Sequence, residues 1–121
     1  MATQTPQQPN GEELEKLVRD YQMLQEQLRA MALQLDQLQS QKIDLEKAKE
    51  EVGKSTGKVY VTIGGVIVET SKEKALAEIG ERAEFNGARM QSTNKQFTEL
   101  KAKEKQMNER LSQIYKQGGA V

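Results

Sequence analysis

The chain has 121 residues, room for one domain at most, and 18 basic against 18 acidic side chains, a formal net charge of zero. Apolar residues make up 36% and charged residues 30%, with two Phe, three Tyr and no Trp, too few large side chains to fill a globular interior of this length. Cys and His are both absent, which removes disulfides, thiol and imidazole catalysis and the usual zinc sites. Balanced charge gives no general attraction to nucleic acid or anionic lipid.

Residues 1–11 contain both prolines, Pro6 and Pro9, in a polar stretch with neither a basic start nor an apolar core. They read as a disordered tail and not as a secretory leader. From Glu12 the pattern changes. Leu14, Leu17, Tyr21, Leu24, Leu28, Met31, Leu35 and Leu38 recur at alternating steps of three and four, and the series continues through Lys42, Leu45, Lys49 and Val52. So narrow an apolar seam over so many turns predicts a coiled-coil helix over 12–52. Gly53 is expected to stop it, and 53–58 to form a loop.

The period then becomes two. Val59, Val61 and Ile63 alternate with Tyr60 and Thr62; Gly64-Gly65 follows, then Val66, Ile67, Val68, Glu69 and Thr70. Two β-branched runs around Gly-Gly predict a β-hairpin over 59–70 with a two-residue turn. Ile63 then meets Val66, Val61 meets Val68, and Val59 meets Thr70. Val59, Val61, Ile63, Val66 and Val68 share one face, and Tyr60, Thr62, Ile67 and Glu69 the other. Thr70 to Glu73 has the form of a capping box, with Thr70 as N-cap. It opens a second helix over 71–116, whose seam is Leu76, Ile79, Ala83, Asn86, Met90, Thr93, Phe97, Leu100, Glu104, Met107, Leu111 and Ile114. Residues 117–121 read as a flexible tail.

The two seams fit antiparallel. Val52 opposite Leu76 puts Leu45 against Ala83, Leu38 against Met90, Met31 against Phe97 and Leu17 against Leu111. Lys42 falls opposite Asn86, a polar pair that restricts alternative registers. Glu104 falls opposite Leu24 and is expected to loosen that end. The expected fold is mainly α, a long antiparallel coiled-coil hairpin with one β-hairpin at its base.

No motif carries catalysis. Gly53-Lys54-Ser55 lacks the earlier glycine of a phosphate-binding loop and stands after a helix where that motif needs a strand. No Asp-rich loop suggests a metal, and no run of about 18 apolar residues predicts a membrane span. No catalytic, metal or cofactor site is expected. The hairpin is the informative feature: it is apolar and bare at both edges, an aggregation hazard in a lone chain. Val59, Val61, Ile63, Gly64, Gly65, Val66, Ile67 and Val68 are therefore expected to join the hairpins of other subunits in a shared sheet or barrel. Gly80 and Gly87 weaken the second helix beside that region; close approach of another backbone would explain both, the alternative being that they merely soften the helix. Phe85 lies off its seam, either packed on a neighbouring chain or simply one exposed aromatic. At the opposite end Leu14, Leu17, Val18, Tyr21, Leu24, Met107, Leu111, Ile114 and Tyr115 gather near fraying helix ends, where Met23 adds adaptability. They are the candidate site for apolar client segments.

Long helix, single hairpin, long helix resembles the beta-class subunit of prefoldin over residues 12–116, most closely at Val59 to Ile79 (VYVTIGGVIVETSKEKALAEI). The Gly64-Gly65 pair is similar to the hairpin of eukaryotic prefoldin subunit two, and the Thr-Ser-Lys-Glu-Lys run to archaeal beta subunits. The resemblance implies a hetero-hexamer of two alpha-class and four beta-class chains, whose hairpins build an intersubunit β-barrel base. It further implies a cytoplasmic, ATP-independent holdase that captures unfolded proteins at the coiled-coil tips and delivers them to a group II chaperonin. The alternative is a coiled-coil adapter or scaffold subunit without chaperone activity, which leaves the apolar hairpin unexplained. A nucleic-acid-binding arm would want a basic stripe, and the balanced charge argues against it.

Overall fold

A computed structural model describes residues 11–118. The elements run α1 (Gly11–Lys54), β1 (Val59–Ile63), β2 (Val66–Thr70) and α2 (Lys72–Gly118). The tails expected over 1–11 and 117–121 lie outside the described residues, save Gly11, Gln117 and Gly118, which belong to the helices.

Both helix boundaries next to the hairpin differ from expectation. Gly53 does not stop α1, which continues through Lys54. A glycine ends a helix by turning left-handed, and among the described residues only Gly64 and Gly65 have positive φ. Lys54 instead pairs with Glu50 at 3.0 Å, one turn back. The Ser55 amide closes the last turn on the Val52 carbonyl at 3.1 Å. At the start of α2 the cap lies one residue later than expected. The Lys74 amide donates to Ser71 Oγ at 3.1 Å and the Ala75 amide to the Ser71 carbonyl at 2.9 Å. Ser71 is thus the N-cap, and the third helical residue is Lys74, so the reciprocal acidic half of the box is missing. Thr70 is unavailable because it pairs with Val59 in the hairpin.

The hairpin register is Val59↔Thr70, Tyr60↔Glu69, Val61↔Val68, Thr62↔Ile67 and Ile63↔Val66, as the alternation predicts. The turn residues Gly64 and Gly65 have φ of 55° and 81°. Two successive positive values match the right-handed strand twist, and glycine takes them without steric cost.

The chain divides into two compact units. One comprises residues 33–94, with the hairpin and the adjoining parts of both helices. Its buried residues are Leu38, Ala75, Asn86 and Thr93. Asn86 Nδ2 donates to the Leu38 carbonyl across the helices at 3.1 Å and to Met90 Sδ at 3.7 Å. A helical carbonyl points one turn onward, here to the level of Lys42, so Asn86 sits where the seam register puts it. Lys42 itself turns to solvent. Asn86 Oδ1 is buried and has no partner among the described residues.

The other unit comprises residues 11–32 and 95–118. Leu24, Leu28 and Leu111 are buried in it. Leu14, Leu17, Tyr21, Met31, Phe97, Leu100, Met107 and Ile114 are half-buried. Leu24, which falls opposite Glu104 in the expected register, is 5% exposed. Glu104 lies 3.6 Å from Lys101 and keeps 22% of its side chain exposed, so its carboxylate finds a cation on its own helix.

Candidate assembly and client-binding sites

The hairpin root leans on its own helices. Val59 and Val61 are half-buried beside a groove of about 280 Å³ that Leu45, Val52, Ala75 and Ile79 also line. Beyond the root the cover ends. Ile63, Val66 and Ile67 are 58%, 61% and 71% exposed, Val68 is 41% and Tyr60 56%. Lys58 and Glu69 form one exposed ion pair at 3.7 Å, and exposed pairs of this kind stabilise little. With Ile63–Val66 as the closing pair, alternation turns the peptide groups of Tyr60 and Thr62 on β1, and of Ile67 and Glu69 on β2, outward. The two-stranded sheet therefore presents an apolar outer half and two open edges, which is what strand addition from another chain requires.

Within 33–94 the exposed aromatic Phe85, 66% exposed, has the Arg89 guanidinium 6.0 Å from its ring centroid. It stands at a groove of about 590 Å³ with Leu45 and Asn86. A Cβ placed on Gly80 or Gly87 would meet nothing within 4 Å. Packing inside the chain thus does not require either glycine.

In the unit of 11–32 and 95–118, the residues expected to bind clients are not equally free. Leu24 and Leu111 are buried, Tyr115 is 61% exposed, and Leu14, Leu17, Val18, Tyr21, Met107 and Ile114 lie between. Leu24 and Met107 come together in a groove of about 240 Å³ with Leu100 and Met23. Met23, named from the sequence only for its adaptability, is 61% exposed and lies one position off the seam. Leu17 borders a second, charged groove of about 290 Å³ with Lys16, Asp20 and Arg110.

Among the described residues no three acidic side chains gather as metal ligands, and no helix is long and apolar enough to cross a membrane. The described surface combines grooves of mixed polar and apolar lining with open strand edges on the hairpin. The architecture defines a coiled-coil assembly subunit.

Comparison with known proteins identifies the family. The family model described as "Prefoldin subunit" matches residues 15–118. Prefoldin subunit beta of Methanosarcina acetivorans is 28% identical over 103 residues, covering 84% of this chain and 88% of the relative. Prefoldin subunit beta of Pyrococcus furiosus is 34% identical over 89 residues, covering 72% and 76%. The crystal structure of the prefoldin beta subunit from Thermococcus strain KS-1 superposes with a TM-score of 0.75 at 27% identity, covering 91% of this chain and 96% of that one. The chain belongs to the prefoldin family of chaperone subunits, in its beta class.

Proposed function

We propose that this chain is the beta-class component of a hetero-hexameric, ATP-independent holdase. The hairpin joins those of alpha-class and further beta-class subunits in a β-barrel. The unit formed by 11–32 and 95–118 holds apolar segments of unfolded proteins, which the complex hands to a group II chaperonin in the cytoplasm. The observation that carries this reading is the uncovered outer half of the hairpin, with Val66 and Ile67 at 61% and 71% exposure in a chain of this family. Burial on that scale against neighbours supplies the driving force, at roughly 25 cal/mol per Å².

The test is a double substitution, Val66→Asp with Ile67→Asp. Both side chains are exposed, so the lone chain loses little, whereas charge on each face of the hairpin opposes burial between subunits. The expected outcome is unchanged helicity by circular dichroism and loss of the complex by native mass measurement with an alpha-class partner. A variant that still assembles overturns the role given to the hairpin.

A further inference from the structure

Met23 is an apolar side chain that the helix pairing leaves unused. It precedes the buried seam residue Leu24 and is 61% exposed. It borders the groove of about 240 Å³ that Leu24, Leu100 and Met107 line, with Asp20 and Lys103 also at its wall. Thioether sulfur is the soft nucleophile available to a chain without cysteine. The other described methionines are better covered. Met31, Met90 and Met107 are half-buried, and Met90 Sδ accepts a hydrogen bond from Asn86 Nδ2 at 3.7 Å.

We propose that Met23 is a reversible oxidation site whose sulfoxide weakens the capture of apolar segments at this groove; the inference rests on the client-binding reading of 11–32 and 95–118. The oxidant class is a peroxide. The sulfur lone pair attacks one peroxide oxygen, the O–O bond breaks and an S–O bond forms. The proton left on the transferred oxygen passes to the departing hydroxide, which leaves as water. Sulfur loses two electrons and the peroxide gains them. The sulfoxide replaces the apolar thioether of Met23 with a strong acceptor, on the part of the wall that Leu24, Leu100 and Met107 continue and that Asp20, Gln27 and Lys103 flank. An apolar segment docking there strips water from that oxygen and returns no hydrogen bond, which opposes binding. A methionine sulfoxide reductase working with a dithiol reverses the step: the S–O bond breaks, the oxygen leaves as water and the dithiol becomes a disulfide.

The experiment treats the assembled full-length complex with hydrogen peroxide and follows each methionine by peptide mass spectrometry, then measures suppression of aggregation of a denatured client. Met23 sulfoxide is expected to form about tenfold faster than Met90 sulfoxide, in line with exposure. The Met23-oxidised complex needs severalfold more protein for the same suppression. Reductases acting on both sulfoxide epimers restore it, and Met23→Leu resists the loss. Oxidation of Met23 no faster than of Met90 overturns the site. Unchanged suppression after Met23 oxidation, or an equal loss in Met23→Leu, overturns its effect on capture. A complex that suppresses nothing before peroxide is added overturns the client-binding reading instead, and the oxidation rates still decide the site.

Discussion

Asn86 stands in an otherwise apolar seam position and is 5% exposed. Its amide nitrogen is satisfied by the Leu38 carbonyl, and its oxygen has no partner among the described residues. The Leu38 carbonyl also faces the Lys42 amide within α1, so losing Asn86 does not orphan it. Removing a buried, unpaired acceptor gains more than the cross-helix bond contributes, about 1–3 kcal/mol against about 1 kcal/mol. Asn86→Leu is therefore expected to stabilise the isolated chain by about 1 kcal/mol, read as a raised Tm in a thermal melt. A lowered Tm means that the amide holds the helices together more than its missing bond strains them. The cap of α2 provides a second residue-scale test. Ser71→Ala should cost about 1 kcal/mol, the usual loss for a helix cap, and Thr70→Ala much less. The reverse order in denaturant titrations places the cap at Thr70.

At the scale of elements, the hairpin was legible in full, because a period of two, β-branched residues and Gly64-Gly65 constrain one another. A slip of one residue between the strands would put Val61 and Val68 on opposite faces. The helix ends were less legible. Gly53 reads as a stop signal, but nothing in its neighbourhood forces the left-handed conformation that makes it one. Thr70 and Ser71 are both competent caps, and the choice between them follows from strand pairing, which a local motif does not contain. The heptads of α1 and α2 name the residues facing the partner helix, but not how completely each is covered. For that reason the client-binding set read from the heptads includes Leu24 and Leu111, although both are buried. Gly80 and Gly87 make a further element-scale prediction. Each lowers helix stability by about 1 kcal/mol relative to Ala, and among the described residues a Cβ added at either position meets no neighbouring element within 4 Å. Gly80→Ala with Gly87→Ala should raise the stability of the isolated chain by about 2 kcal/mol in urea unfolding. A neutral or lower stability contradicts open space at these positions.

For the molecule as a whole, the family and the surface agree. A chain with 4% aromatic residues buries little, and its most exposed large apolar side chains include Ile67, Val66, Phe85, Met23 and Tyr115. The hairpin residues among them lie in one unit and Met23 and Tyr115 in the other, which separates assembly from capture in the proposed function. The measurement that tests the account most directly is light scattering of a chemically denatured client diluted into ATP-free buffer. This chain is reconstituted with an alpha-class prefoldin partner, either as wild type or with Val66→Asp and Ile67→Asp. The account predicts suppression of scattering at near-stoichiometric complex and none with the hairpin variant. Unsuppressed scattering in the presence of a wild-type complex whose mass confirms assembly contradicts the holdase function and leaves a scaffold subunit.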